Sequence, residues 1–465
     1  MVGEGGGEPG ALRTGDGATV APELLAVRRG HAFWRYEFSL PLGGEETVGR
    51  YAIGGRQGWE VRLPAREGER RLAYTACNGN DDGAGGGLPR DELNALWRGL
   101  GAAHRARPFH LLLQGGDQLY ADTLWREVPE LGAWRRLPWR EGNAAPFTAG
   151  MAEGAEDYYL RRYAKVWSQP AIAPTLAAVP SVMMWDDHDV FDGWGSWPED
   201  RQECAVFRGI GAVAREQFAL FQLAARPDAL PEGFADRAGG HFGCAFRAGT
   251  VGVVAPDLRS ERTRARVMGQ AGWRDLEAAL EELAGCRHLL LMSSVPLVNA
   301  DMSWLERAFV AVPGHSDLED DLRDQWQSYT HREEWRRMLA LLVRFSAGTG
   351  ARVTSLSGEI HMGALGVVEG GDGVVIHQLT SSGIVHTPPP RAAAEVYELL
   401  GRHGTRLGPD LRARLVPIPG HGRRYLRERN WLSLEAAGDG RFVAAWQTER
   451  GEAGRLAVGE AGNGG

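Results

Sequence analysis

Short apolar runs that stop at a glycine or an acidic residue recur along this chain and give the first expectation for its fold. Leu72 to Ala76, Phe109 to Gln114, Ser181 to Trp185, Val251 to Ala255, His288 to Ser293 and Arg352 to Leu356 are mostly apolar and bounded by turn residues, which predicts buried strands. Helical periodicity separates them. It predicts helices over Arg90 to Leu100, Asp157 to Trp167 (stopped by Pro170) and Val213 to Leu223. A fourth helix is expected behind the capping box Ser316-Asp317-Leu318-Glu319, with Leu318, Leu322 and Trp326 on one face. Its acidic run Glu319-Asp320-Asp321 falls in the first turn, where it complements the helix dipole. Strands alternating with helices predict an α/β fold.

The ends of the chain read differently. Phe33-Trp34-Arg35-Tyr36-Glu37-Phe38 alternates, Gly43-Gly44 reads as a turn and Val48 to Ile53 as a second strand, so a small β-rich N-terminal element is expected up to about Arg70. Trp431 to Glu435, the Gly-Asp-Gly turn at 438 to 440 and Phe442 to Gln447 predict a terminal hairpin. The opening residues are mostly Gly, Glu and small side chains, which predicts disorder. The expected division is a disordered 1–20, a β-rich 21–70, a main domain over 71–450 and a flexible 451–465.

Chemistry collects where the predicted strands stop. Cys77 ends the first. Gly115-Gly116-Asp117-Gln118-Leu119-Tyr120-Ala121-Asp122 follows the second, Asp186-Asp187-His188-Asp189 the third, and Gly358-Glu359-Ile360-His361 the last. Such a mixture of hard and soft ligands is what a two-metal hydrolytic centre needs. Asp117 can bridge two cations and Tyr120 can bind a hard trivalent one; the alternative is an Asx turn beside a packed tyrosine. Asp186 and Asp187 repel each other unless a cation or an arginine neutralises them. His188 beside them can donate a proton to a leaving oxygen; the alternative is an exposed acidic turn. Glu359 and His361 fall on one side of an extended segment and can reach one cluster, unless His361 is simply a surface histidine. Cys77 is either a small buried hydrophobe or a ligand, and its place at a strand end favours the ligand. In Asp257-Leu258-Arg259-Ser260-Glu261-Arg262, Arg259 or Arg262 can clamp an anion, or form a salt bridge to Asp257 or Glu261. Ser293-Ser294 and Thr380-Ser381-Ser382-Gly383 are strand-end turns able to line a pocket, the second flanked by His377 and His386.

Composition narrows this picture. The chain has 465 residues, room for one large domain and an accessory one. Net charge is −8 with no block of like charge, so neither a nucleic-acid nor a membrane-surface footprint is expected. Lys165 is the single lysine, so a side-chain cation that grips an anionic substrate is an arginine. Cys77, Cys204, Cys244 and Cys286 form no C-x-x-C pair, which excludes a zinc ribbon or a thioredoxin motif. Gly83 to Gly87 lacks a following Gly-Lys-Ser/Thr and reads as a loop rather than a P-loop. No stretch reads as a secretory signal or a bilayer span, and the twin arginines Arg28-Arg29 precede no long apolar region, so a cytoplasmic location is the expectation. H-x-H-x-D-H and G-x-S-x-G are both absent, which argues against a metallo-β-lactamase-type hydrolase and a serine esterase.

The ordered set T-A-C-N, G-G-D-Q-L-Y-A-D, W-D-D-H-D, D-L-R-S and S-G-E-I-H resembles the PhoD-like (alkaline phosphatase D) branch of the calcineurin-like metallophosphoesterases, from about Ala73 to about Gln447. The resemblance implies a four-layer αββα sandwich with metals at the strand ends and 71–450 as the catalytic domain. It implies a ferric ion held partly by Cys77, Asp117 and Tyr120. One or more divalent ions (Ca2+, Mn2+ or Zn2+) would share Asp117 and use Asp187 and Glu359, with His361 at the position of the family's last metal-binding histidine. It further implies hydrolysis of small phosphorylated substrates, phosphate mono- or diesters, by a hydroxide held between the metals, with His188 at the leaving oxygen and Arg259 as helper. The alternative is a catalytically weak relative that binds metal or a phosphorylated ligand.

Overall fold

All six predicted strands are present in the computed structural model, which describes residues 2–4, 7–55, 58–80, 88–302, 324–437 and 441–458. They run Arg71–Thr75, Leu111–Gly115, Ser181–Met184, Val251–Ala255, His288–Ser293 and Arg352–Ser357. They sort into two sheets of a mixed α/β fold. In the six-stranded sheet, Arg71–Thr75, Leu111–Gly115 and Ser181–Met184 are mutually parallel. The predicted hairpin, Asn430–Ala437 with Arg441–Thr448, pairs antiparallel to Arg71–Thr75. In the nine-stranded sheet, Val251–Ala255, His288–Ser293, Arg352–Ser357 and Val375–Thr380 are parallel in that order.

Side chains alternate across each strand, and both faces are apolar. Tyr74, Leu113, Leu432 and Trp446 of the smaller sheet share one buried cluster with Val253, Leu290, Met292 and Leu356 of the larger. On the opposite face, Leu289, Leu291 and Val353 pack against Trp273 and Leu276 of helix Gln270–Glu282 and Trp335 and Leu339 of helix Arg332–Thr349. Ala73 and Leu112 pack against Leu96, Trp97 and Leu100 of helix Ala95–Ala106. Strands buried on both faces are continuous apolar runs, which is why they were legible.

Three of the four predicted helices form. Arg90–Leu100 is split at Asn94 into Arg90–Leu93 and Ala95–Ala106. The other two start earlier than expected, as Ala149–Trp167, where the Thr148 side chain accepts from the Met151 N–H, and Ala205–Gln222. The capping box at 316–319, the acidic run behind it, the 83–87 loop and the 438–440 turn lie outside the described residues. Among the described residues no helix is long and apolar enough to cross a membrane.

The chain ends correct the sequence reading. Residues 1–20 are not without structure: Leu12–Thr14 pairs with Thr19–Val20 and with Thr47–Ile53, and Val2–Glu4 pairs with His31–Arg35. The strands of 21–70 therefore divide between a three-stranded and a four-stranded sheet. Gly451–Val458, expected as a flexible tail, is the edge strand of the six-stranded sheet. Val2–Glu4, Leu12–Thr14 and Thr19–Val20 are two or three residues long, too short to carry a periodic signal of their own.

Candidate metal centre

In a parallel sheet the carboxyl ends of the strands share one edge, and side chains that follow them converge there. Cys77, Asp117 and Asp186-Asp187 leave the three parallel strands of the smaller sheet; Asp257, Ser294, Glu359 and Ser382 leave four parallel strands of the larger. Main-chain bonds fasten these exits. The Asn78 N–H donates to the Asp117 carbonyl at 2.8 Å, Ala121 to His188 at 2.8 Å, Gly358 to Ser294 at 3.0 Å and His386 to Cys77 at 3.1 Å.

The exits are strained. Among the described residues seven non-glycine residues have positive φ, and four of them are Cys77 (56°), Asp117 (55°), Glu359 (65°) and His361 (53°). Non-glycine residues rarely adopt this conformation, and it persists where surrounding structure over-determines it, as at ligand clamps. Two glycines complete the packing. Gly116 has φ +106°, and a Cβ there would stand 2.8 Å from the Asp186 Cβ; a Cβ on Gly79 would stand 2.5 Å from the Tyr120 ring.

Two groups of donors result. Ligand atoms of Cys77, Asp117 and His361 lie within 4.8 Å of one another, as do those of Asp117, Asp187 and His188. Asp117 belongs to both. Tyr120 joins the first group, with its hydroxyl 3.4 Å from Asp117 Oδ2 and 3.2 Å from His361 Nε2. Glu359 lines the same cleft, of about 190 Å³, with Asp117, Asp187, His188 and His361, but it is not a member of either group. Every residue expected as a ligand is thus in or beside one site.

The donors fit a cation on two counts. Asp117 Oδ1 and Glu359 Oε2 are buried carboxylate oxygens with no hydrogen-bond partner among the described residues, an arrangement that is costly unless a cation meets them. Burial pushes the Asp117 carboxyl well above its usual range; His188 opposes this and Asp186, Asp187 and Asp189 reinforce it. Burial, with Asp324 and Asp186, does the same to Glu359. Burial and the nearby Asp117 raise the Cys77 thiol. A bound cation reverses each of these effects.

His188 is 2.9 Å from Asp122 through its Nδ1, and its ring stacks on Tyr120 with centroids 4.2 Å apart. Burial works against a charge on His188, but Asp122, Asp187 and Asp117 outweigh it and lift its pKa well above the ordinary value. Asp122 stands in the same segment as Asp117, and its role in holding the imidazole was not read from the sequence. Ser382 was expected only as pocket lining. Its Oγ lies 3.0 Å from the Cys77 sulfur and accepts from the His361 N–H at 2.9 Å. His386 stacks on His361 at 3.4 Å.

Arg259 requires a correction. Expected as a clamp on an anionic substrate, it is 1% exposed and all five of its N–H groups are engaged. Nε meets Asp186; Nη1 meets Asp324 Oδ1 at 2.7 Å and the Trp194 carbonyl at 3.3 Å; Nη2 meets Asp324 Oδ2 at 2.6 Å and Asp187 Oδ1 at 3.2 Å. A guanidinium so enclosed neutralises carboxylates rather than a ligand. Its partners are not the Asp257 or Glu261 side chains weighed from the sequence, although Asp257 does accept from the Arg259 backbone N–H at 2.8 Å. Asp324 had no signal at all in the sequence.

Residues 32–312, more than half of the chain, match the family described as PhoD-related phosphatase. The chain is 25% identical over 502 aligned positions to the uncharacterized Saccharomyces cerevisiae protein YGR266W, covering 86% of this chain and 70% of the yeast protein. Its fold is similar to that of PhoD, with a TM-score of 0.57 and 15% identity, over 98% of this chain and 84% of that one. It is also similar to purple acid phosphatase PPD1 from yellow lupin (Lupinus luteus) seeds, with a TM-score of 0.50 and 11% identity, over 95% and 67% respectively.

Proposed function

The chain belongs to the PhoD-related phosphatase family, and from that premise we propose that it is a metal-dependent hydrolase of small phosphoesters. The observation that carries this reading is the shared carboxylate: Asp117 sits in both donor groups, one with a thiol, a phenol and an imidazole, the other with Asp187 and His188. A thiolate and a phenolate beside a carboxylate suit a trivalent ion such as Fe3+. The oxygen-rich side, with Asp187 and Glu359, suits a divalent ion such as Ca2+, Mn2+ or Zn2+. When bound, such a pair supplies Lewis-acid polarisation of a phosphoryl oxygen and lowers the pKa of a water molecule. The two sheets, their shared core and the helices on their outer faces support the four-layer αββα arrangement, with a β-rich lead-in up to about residue 70.

The remaining chemistry belongs to side chains. Asp122, which is not among the expected ligands, fixes the tautomer and orientation of His188 and favours the protonated imidazole, which equips it to give a proton to the departing oxygen. A cleft of about 190 Å³ has room for a phosphoryl group beside these side chains. Ile360, Pro389 and Tyr397 on its wall offer apolar contact to the organic part of the ester.

Stripping metals with a chelator is expected to abolish hydrolysis of an aryl phosphate, and adding them back to restore it. Protein that is free of metal by elemental analysis and still hydrolyses the ester would overturn the proposal. For His188→Ala the expected result is a kcat about a hundredfold lower with metal content unchanged. Loss of metal in that variant would make His188 a ligand instead of an acid.

A further inference from the structure

Asp324 and Gln325 adjoin in sequence and reach two different sides of the cleft. Asp324 is 4% exposed and accepts from both ends of the Arg259 fork, from Ser196 Oγ at 2.6 Å and from Arg262 Nε at 3.1 Å. Through Arg259 it is linked to Asp187 Oδ1; the other Asp187 oxygen accepts from the Gly193 N–H at 2.7 Å. Gln325 donates from Nε2 to Glu359 Oε1 at 3.1 Å. Its own Oε1 accepts from Asn299 Nδ2 at 3.0 Å, and Asn299 Oδ1 accepts from Tyr425 OH at 2.6 Å. Asp187 leaves the six-stranded sheet and Glu359 the nine-stranded one. One dipeptide therefore ties together the two carboxylates that come from different sheets.

We propose that Asp324 and Gln325 form a positioning clasp that sets Asp187 and Glu359 for the divalent ion. Asp324 acts by holding Arg259, and Gln325 by holding the Glu359 carboxylate. The proposal rests on the metal-dependent reading above. Its physical basis is that a ligand's second oxygen must be held if its first is to point at the ion. With Asp324 in place, the Arg259 fork is divided among three carboxylates. With Asp324 neutralised, the guanidinium turns fully onto Asp186 and Asp187 and competes with the ion for Asp187.

The test uses the full-length protein and Mn2+ as the probe, with binding measured by equilibrium dialysis and tightly held metal by elemental analysis. Asp324→Asn, Arg259→Lys and Gln325→Met are each expected to weaken Mn2+ binding by about ten- to a hundredfold. The ion on the Cys77 and Tyr120 side is expected to stay at full occupancy. Gln325→Met removes no buried charge, so it decides the Glu359 half even if the other two variants do not fold. Mn2+ affinity within about twofold of wild type in Gln325→Met, or in a folded Arg259→Lys, overturns the clasp. Loss of binding in Asp324→Asn together with normal binding in Arg259→Lys also overturns it, by making Asp324 a ligand. Wild-type protein that binds no Mn2+, Ca2+ or Zn2+ would overturn the metal-dependent reading itself.

Discussion

The two halves of the site are built on different principles. On the Cys77, Tyr120 and His361 side the donors are a thiol, a phenol and an imidazole, packed by stacked rings and held by residues with left-handed backbone. Here the main chain is what is over-determined. On the Asp187 side Glu359 keeps that left-handed backbone but Asp186, Asp187 and Asp324 do not, and the order comes mainly from charge: the three aspartates surround Arg259, with Arg262 behind them. One half is preorganised mainly by strain and the other mainly by electrostatics. They meet at Asp117, whose φ is positive and whose carboxyl is perturbed by the acids of the other half.

The largest expected effect comes from breaking that meeting point. Asp117→Asn keeps the side-chain volume and removes the charge common to both donor groups. Both ions should be lost by elemental analysis, and kcat on an aryl phosphate should fall by at least about a thousandfold, to the level of chelator-treated protein, since Lewis-acid stabilisation is worth several kcal/mol. A variant that kept both ions would show that the halves are independent sites.

Exchanging the halves' own ligands sharpens the contrast. Cys77→Ser should weaken the ion on its side by at least about tenfold and leave Mn2+ binding on the Asp187 side within about threefold, because the sulfur takes no part in the Arg259 network. Asp187→Asn should do the reverse. It also leaves the buried Arg259 with one fewer charged partner, so this variant should unfold more readily in urea as well. Equal weakening of both ions in either variant would mean that the two halves act as one unit.

This contrast also explains what was legible in the sequence. Cys77, Asp117, Tyr120, Asp187, Glu359 and His361 each belong to a local motif in which an apolar strand ends in a short polar turn, and the strand announces the position of the turn. The strain-built half is local, so it was read almost whole. The charge-built half depends on Asp324, which arrives from a distant segment whose sequence marks it only as one acid among several. Without Asp324, Arg259 looked available for substrate; with it, every N–H is taken. The N-terminal strands were missed for a related reason, since Leu12–Thr14 is ordered by Thr47–Ile53 and not by its own pattern.

The smallest effect tests whether the charge-built half carries its own pH sensitivity. His331 is fully buried, its Nδ1 lies 3.2 Å from the Gln325 carbonyl, and burial, helped by Arg262, lowers its pKa from 6.5 to about 4. An unfolded chain takes up this proton near pH 6.5, whereas the folded protein resists it until about pH 4. The stability it contributes is complete above pH 6.5 and is lost as pH falls through that window, on the order of 2–3 kcal/mol. Asp186 and Asp189, raised by burial to about 6 and about 7, act with the opposite sign: their folded forms hold protons more tightly than the unfolded chain does, so they favour folding as pH falls. Total stability therefore hides the histidine. The difference between wild type and His331→Gln isolates it, because the two aspartates are common to both proteins. Urea unfolding from neutral pH to pH ~4.5 should show the gap between them shifting in favour of the variant as pH falls. A gap that is constant with pH would mean that His331 is protonated in the fold beside Arg262, and that the charge network on this side is looser than its hydrogen bonds imply.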